Sequence, residues 1–277
     1  MKTVVLPAGE RVPAFGMGTW RMAEDRARRA EEIATLRLGL DRGATLIDTA
    51  EMYGEGHAEQ LVGEAIAGRR DEVFLVTKVY PHNASRTGMP RACERSLRRL
   101  GTDHIDLYLL HWRGSIALEE SMQAFADLQR DGKIRHYGVS NLDLADMKQV
   151  SQTSPGGAVQ ANQLLYNLTR RALEWDLLPW LREQGIPVMA YSPVEEGRLL
   201  ANARLARFAR DCDRTPAQVA LAWLLARPDV IVIPKTARRD RLLENLASLE
   251  RPLDSGEFAE LDRLFPPPRG PATLEMI

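Results

Sequence analysis

Four polar residues in the first half of the chain have side chains that can exchange or orient protons. Asp48 directly follows an apolar run, and Tyr53 comes five residues later. Lys78 interrupts the apolar run VFLVTKV, and His111 interrupts IDLYLLHW. A phenol has an ordinary pKa of about 10, and a neighbouring ammonium favours the phenolate and lowers such a pKa by ~1–3 units. The pattern predicts a tyrosine general acid, with Lys78 supplying the charge and Asp48 holding Lys78 in place.

Each of these residues also has a purely structural interpretation when it is considered alone. Asp48 could cap the next turn, Tyr53 could be a surface phenol, and His111 could be a hydrogen-bonded core histidine. Lys78 is harder to explain in this way, because burying an unpaired lysine within a strand costs free energy. Since the four residues follow one another at neighbouring strand ends, the chemical interpretation is favoured.

Eight short apolar runs alternate with helical patterns, which indicates a parallel sheet. The runs are FGMGT (15–19), TLIDTA (45–50), VFLVTKV (73–79), IDLYLLHW (105–112), IRHYGVSN (134–141), AVQANQL (158–164), PVMAYSP (187–193) and VIVIPKT (230–236). Several are apolar throughout, as strands covered on both faces are. Between them, apolar residues recur at three- and four-residue spacing, as in the predicted helix EDRARRAEEIATLRLGLDRG, which ends at Gly43.

Eight such units in a chain of 277 residues predict an α/β fold, the (β/α)₈ TIM barrel, as a single domain over residues 1–277. An N-terminal β-hairpin is predicted at 3–15, the barrel over 16–265 and a C-terminal tail over 266–277. The alternative is a doubly wound open sheet, which should carry a glycine-rich phosphate turn after a strand. Only Gly16 and Gly18 approach that pattern, without a third glycine, so the barrel is favoured.

The composition argues against several classes of function. Lys and Arg number 37 against 38 Asp and Glu, and their scatter argues against a nucleic-acid partner. No window approaches the roughly 20 apolar residues of a membrane span, and the first residues have no leader pattern. Two cysteines far apart in sequence, Cys93 and Cys212, argue against a disulfide framework or a zinc site. We therefore expect a cytoplasmic protein that binds no metal ion, nucleic acid or membrane.

The motifs together resemble the signature segments of the aldo-keto reductase family. DTAEMYG, the lysine of LVTKV and the histidine of LLHW are similar to that family's Asp–Tyr–Lys–His tetrad. GVSN, QANQLLYN, AYSP and IPKT resemble its other signatures and occur in the same order. The similarity runs from residue 3 to residue 265, and the chain is most similar to short-looped bacterial members such as the methylglyoxal reductases.

The resemblance implies a monomeric, NADPH-dependent reductase of aldehydes and some ketones. The implied catalytic residues are Tyr53 as the acid, Lys78, Asp48 and His111. The implied walls of the carbonyl-substrate pocket are Trp20, Tyr53, His111 and Trp112. The implied cofactor contacts are Gly18, Thr19, Trp20, Ser140, Asn141, Gln163, Tyr191, Ser192, Pro193, Ile233, Pro234, Lys235, Thr236, Arg241, Glu244 and Asn245.

Within that set, the resemblance implies different roles for the successive segments. Tyr191 would stack on the nicotinamide ring, and Ser192 would contact the pyrophosphate. The nicotinamide carboxamide would be held by Ser140, Asn141 and Gln163. The 2′-phosphate would be held by Lys235, Thr236 and Arg241, and the adenine edge by Glu244 and Asn245. A lysine and an arginine beside a hydroxyl are suited to phosphate, so NADPH is expected rather than NADH.

Two features of the sequence bear on the substrate. Only the short segment RGSIA separates the fourth barrel strand from the next helix, and a short tail follows Phe265, so a comparatively open pocket is expected. Two other functional classes remain open at this point. Lys78 or Lys235 could form an imine in a Schiff-base lyase, or the barrel could be a non-catalytic sensor that binds NADPH.

Overall fold

Ten strands form two sheets in the computed structural model, which describes residues 1–277. The antiparallel hairpin consists of β1 (Thr3–Val5) and β2 (Arg11–Pro13). Eight parallel strands follow, in the spatial order of the chain: β3 (Gly16–Gly18), β4 (Leu46–Asp48), β5 (Phe74–Val79), β6 (Ile105–Leu110), β7 (Ile134–Ser140), β8 (Asn162–Leu165), β9 (Val188–Tyr191) and β10 (Val230–Val232).

The chain also contains ten α-helices, most of which alternate with the parallel strands. Their bounds are α1 (Arg29–Asp41), α2 (His57–Ile66), α3 (Gly88–Leu100), α4 (Leu118–Arg130), α5 (Leu144–Ser151), α6 (Leu177–Glu183), α7 (Ala203–Asp211), α8 (Pro216–Leu225), α9 (Arg239–Leu246) and α10 (Ser255–Leu264). Almost every residue of the parallel strands is buried, because the helices cover their outer face and the other face packs inside the barrel. None of the helices combines the length and the apolar character needed to cross a bilayer.

The first and last parallel strands meet and close the barrel. The Val232 amide donates to the Ala14 carbonyl at 2.8 Å, and the Gly18 amide donates to the Pro234 carbonyl at 3.1 Å. Gly18 is required by this approach, because a Cβ there would lie 2.8 Å from the Ile233 carbonyl oxygen. The glycine pair of β3 therefore serves barrel closure, not a phosphate-binding turn of an open sheet.

The hairpin lies at the amino-terminal ends of the barrel strands. The Lys2 ammonium donates to the Arg227 carbonyl at 2.9 Å, just before β10. The Ala8 amide donates to the Gln160 side chain at 2.8 Å, just before β8. Glu10 pairs with Arg135, near the start of β7, at 2.7 Å. The hairpin thus covers one end of the barrel and leaves the carboxyl ends of the strands free to form a site.

The predicted (β/α)₈ barrel with an N-terminal hairpin is confirmed, with differences at the boundaries. Helix α1 begins at Arg29, whereas the sequence pattern predicts a helix from residue 24; a 3₁₀ turn at Arg26–Arg28 replaces its first turn. Helix α10 is not predicted by the apolar spacing. It begins at a capping box in which Asp254 and Glu257 bond reciprocally to each other's backbone amides.

Candidate active site

The four predicted catalytic residues meet at the carboxyl ends of β4, β5 and β6. The Lys78 ammonium donates to both oxygens of the Asp48 carboxylate, at 2.9 and 2.7 Å, and to the Thr49 carbonyl at 2.8 Å. It also lies 3.2 Å from the Tyr53 hydroxyl. The ring of His111 is 5.8 Å from that of Tyr53, centroid to centroid. The phenol and the imidazole therefore lie side by side at this end of the barrel.

Tyr53 is placed by a strained turn between β4 and α2. The turn covers Tyr53–Gly56, and Gly54, Glu55 and Gly56 all have positive φ, at 55°, 53° and 89°. A Cβ at Gly56 would lie 2.4 Å from the Arg99 guanidinium, which pairs with the fully buried Glu59 at 3.1 Å. The glycines flanking the tyrosine therefore allow a backbone path that other residues would strain.

The expected acidification of Tyr53 is wrong. Burial raises the pKa of Tyr53 well above its usual value, and the Asp48 charge raises it further. The physical reason is that burial disfavours the phenolate, while the Asp48 carboxylate, 2.7 Å from Lys78, offsets the charge of the ammonium. Burial also lowers the pKa of Lys78, and the Asp48 carboxylate opposes that shift. Tyr53 accordingly keeps its proton at neutral pH and is available as a donor.

His111 is a neutral imidazole with an unused polar atom. Burial, and to a smaller extent the Lys78 charge, lowers the pKa of His111 to about 2. Its Nδ1 is buried and has no hydrogen-bond partner. A neutral imidazole carries one N–H donor and one acceptor, so His111 can donate a hydrogen bond without carrying charge.

We expect His111 to make the protein less stable in acid. Its pKa is lower in the folded state than in the unfolded chain, where it is about 6.5, so only the unfolded chain gains a proton as the pH falls below that value. Between pH 7 and pH 5 the free energy of unfolding should fall by about 2 kcal/mol more in the wild type than in His111→Gln. Urea unfolding at both pH values measures the difference, and parallel losses would contradict it.

A cavity of about 610 Å³ opens at the same end of the barrel. Asp48, Tyr53, His111 and Trp112 line it, and the Trp20 ring is 5.0 Å from the Tyr53 ring. Most of the residues predicted to contact the cofactor also line it: Gly18, Thr19, Trp20, Ser140, Asn141, Gln163, Tyr191, Ser192, Pro193, Ile233, Lys235, Thr236 and Arg241. Lys78 lies behind the wall, where it is fully buried. Pro234, Glu244 and Asn245 are not among the lining residues.

The predicted carboxamide-binding residues form a connected network. The Tyr191 hydroxyl donates to Asn141 Oδ1 at 2.9 Å, and the Asn141 amide donates to Ser140 Oγ at 3.1 Å. Ser140 Oγ donates to the Gln163 carbonyl at 2.9 Å, and Gln163 Nε2 donates to Asp48 at 2.7 Å, which connects this network to the tetrad. Asn141 and Ser192 have left-handed backbones, with φ of 58° and 47°, and such strain is typical of functional sites.

Sequence reasoning missed several residues that line the cavity. They are Arg21, Arg28, Met52, Val194, Glu196, Gly197, Leu200, Ala237, Arg238, Met276 and Ile277. Met276 and Ile277 show that the C-terminal tail reaches the site, where Glu275 pairs with Arg170. The loop between β6 and α4 is short, as predicted, but the tail contributes a wall. The tail has no periodicity that could have indicated this path.

No group of three or more His, Cys, Asp or Glu side chains is arranged to hold a metal ion. The tetrad offers proton donation by a phenol beside a buried ammonium, with a neutral imidazole nearby. The cavity extends from these groups to a cluster of cations at Lys235 and Arg241.

Comparisons with known proteins agree with this geometry. The model of the Aldo/keto reductase family matches residues 14–265. The chain is 50% identical over 271 residues to the methylglyoxal reductase YeaE of Escherichia coli, covering 96% of this chain and 95% of that protein. It is 31% identical over 250 residues to the methylglyoxal reductase DkgB of Salmonella typhimurium, covering 88% of this chain and 90% of that protein.

A solved structure is similar over the whole chain. It is an aldo/keto reductase from Klebsiella pneumoniae in complex with NADP and acetate, with a TM-score of 0.97 and 48% identity. The match covers 100% of this chain and 99% of that one. The family model spans the barrel strands from β3 to β10. The tetrad lies at the carboxyl ends of three of these strands. This chain belongs to the aldo/keto reductase family.

Proposed function

We propose that this protein is an NADPH-dependent reductase that converts aldehydes, including methylglyoxal and other small or aromatic carbonyls, to alcohols. The observation that carries the proposal is the protonated Tyr53 hydroxyl, 3.2 Å from the Lys78 ammonium, at the wall of a cavity that His111 also lines. The methylglyoxal reductases that the chain resembles and the NADP complex of its structural neighbour support the same function.

The residues present fit a phosphorylated dinucleotide. Lys235 and Arg241 line the cavity without a carboxylate partner, so they are available to a phosphate. At the other end, the half-buried ring of Tyr191 offers a flat face, and its hydroxyl is held by Asn141 at 2.9 Å. When bound, NADPH would supply the hydride.

The protein would bind the carbonyl compound and provide the proton. Tyr53 would donate its hydroxyl proton to the carbonyl oxygen as negative charge develops there, which is general acid catalysis. Lys78 would stabilise the resulting phenolate, while Asp48 keeps the ammonium in place through two hydrogen bonds. The neutral His111 would orient the oxygen by donating a hydrogen bond. Trp20 and Trp112 would form apolar walls that exclude water.

Cofactor consumption with a panel of aldehydes tests the function directly. We expect methylglyoxal and aromatic aldehydes to accelerate NADPH oxidation, with NADH a poorer cofactor because it lacks the phosphate that Lys235 and Arg241 would bind. Loss of nicotinamide absorbance measures both rates. A protein that binds NADPH but consumes none with any aldehyde would be a sensor, and the reductase proposal would fail.

A Schiff-base lyase is disfavoured by the contacts of Lys78. Its ammonium already donates to Asp48 and the Thr49 carbonyl, and a lysine must lose its proton before it attacks a carbonyl. Lys235 is less constrained, and burial lowers its pKa. Borohydride trapping of a substrate–lysine adduct would revive this alternative.

We further infer that the enzyme works in the cytoplasm as a monomer. The two cysteines, Cys93 and Cys212, are unpaired, which agrees with a reducing compartment. All four catalytic residues come from one chain, so the site needs no second copy.

A further inference from the structure

Four cations line the cavity without a carboxylate partner. They are Arg21, Arg28, Lys235 and Arg241, and none of them forms an ion pair with the protein. By contrast, Arg238, which also lines the cavity, is paired with Asp240. In a chain with 38 acidic and 37 basic residues, such a group is unusual, because unpaired like charges repel one another. The side-chain carboxylates of the lining are Asp48, which is paired with Lys78, and Glu196, so the lining has a net positive charge that suits a ligand with several negative charges.

Arg28 belongs to a connection with a defined path. It is the last residue of the 3₁₀ turn Arg26–Arg28. The Asp25 carboxylate caps this turn by accepting a 2.9 Å hydrogen bond from the Ala27 amide. Upstream, the Ala23 amide donates to the buried Glu32 carboxylate at 2.9 Å. These bonds fix the backbone of the connection between β3 and α1, and the exposed side chain of Arg28 lies at the wall of the cavity.

Arg28 and Lys235 come from opposite ends of the chain but influence each other. Burial is the main cause that lowers the pKa of Lys235, Glu32 opposes it, and Arg28 lowers it further. The two cations are thus within electrostatic range, one on the connection after the first barrel strand and the other after the last. Arg21, whose guanidinium is 5.9 Å from the Trp20 ring, also lowers the pKa of Lys235, but to a smaller extent than Arg28.

We propose that Arg28 binds the 2′-phosphate of NADPH together with Lys235 and Arg241, and that the preference for NADPH over NADH depends on both segments. A guanidinium can bind two phosphate oxygens through two parallel N–H groups in a fixed plane, whereas the ammonium of a lysine acts as a point charge. This inference rests on the proposed cofactor. It adds Arg28, from the connection between β3 and α1, to a phosphate site otherwise formed by Lys235 and Arg241, which follow β10.

The test compares Arg28→Ala with Arg26→Ala. Arg26 lies in the same 3₁₀ turn, is exposed and does not line the cavity, so it controls for a general loss of surface charge. Kd values for NADPH and NADH are measured by quenching of tryptophan fluorescence at low salt. We expect Arg28→Ala to raise the Kd for NADPH about 10- to 100-fold and to leave that for NADH unchanged. Arg26→Ala should change neither.

Three outcomes would overturn the assignment. An equal rise in the Kd for NADPH and for NADH would place Arg28 at the pyrophosphate. An unchanged Kd for NADPH would show that Arg28 does not contact the cofactor. An equal effect of Arg26→Ala would indicate only a change in surface charge. Because binding is measured without turnover, the result is separate from the reductase activity. A wild type that binds NADPH through Arg28 but reduces no aldehyde would refute the proposed function alone.

Discussion

Replacement of Tyr53 by Phe is expected to lower kcat/KM for aldehydes by about 10²–10⁴-fold and to leave the Kd for NADPH unchanged. The substitution removes only the hydroxyl, 3.2 Å from Lys78, and retains the ring that packs 5.0 Å from Trp20. General acid catalysis contributes a factor of this size to reactions of this kind. Steady-state rates with methylglyoxal and fluorescence titration with NADPH measure the two quantities.

Tyr80→Phe is the matched control for that experiment. Tyr80 packs 6.0 Å from Trp112 but does not line the cavity, so its hydroxyl should be dispensable. Near-normal turnover by Tyr53→Phe, or an equal loss in Tyr80→Phe, would show that the proton comes from another group.

Replacement of Lys78 by Met is expected to destabilise the folded protein by about 3–5 kcal/mol in addition to abolishing activity. Asp48 is 2% exposed, and without Lys78 its buried carboxylate would keep only the Gln163 amide as a side-chain donor. The cost arises from a buried charge that has lost its partner. Urea unfolding at neutral pH measures the change in the free energy of unfolding.

The double variant Asp48→Asn, Lys78→Met separates the buried charge from the loss of packing. It leaves no unpaired charge, so it should be more stable than Lys78→Met even though it carries one more substitution. A free energy of unfolding for Lys78→Met within about 1 kcal/mol of the wild-type value would be a typical change for a point substitution. That result would show that the ion pair does not hold the site together.

The barrel was predictable from the sequence because its strands are short apolar runs separated by helices of regular spacing. The same regularity located Asp48, Lys78 and His111, since a polar residue within or just after a buried run must face a partner or a cavity. Their proximity follows from topology, because neighbouring parallel strands end at the same edge.

The electrostatics of the tetrad were not predictable in the same way. The sequence indicates that Lys78 and Tyr53 lie close together, but the pKa of the phenol depends on how completely Asp48 balances the ammonium and on how deeply the ring is buried. Both quantities depend on distances of a few ångströms, such as the 2.7 Å between Lys78 and Asp48, and no spacing rule supplies them.

The cavity walls that were missed come from segments without regular periodicity. The sequence pattern predicts that Arg28 lies in the first turns of a helix. In the structure this segment is a 3₁₀ turn, and Arg28 lines the cavity. Met276 and Ile277 follow a proline-rich stretch whose path depends on tertiary contacts such as the pair between Glu275 and Arg170. Sequence patterns describe elements well, but they do not describe where irregular segments fold back.

The position of the chain's two ends has a practical consequence for handling the protein. An affinity tag or fluorescent fusion attached after Ile277 would be delivered to the rim of the catalytic cavity, where it would crowd Tyr191 and incoming aldehydes. The same fusion attached ahead of the hairpin would emerge at the far side of the molecule. Kinetic work should therefore use amino-terminal tags, and carboxyl-terminal labels can serve instead as reporters of ligand entry.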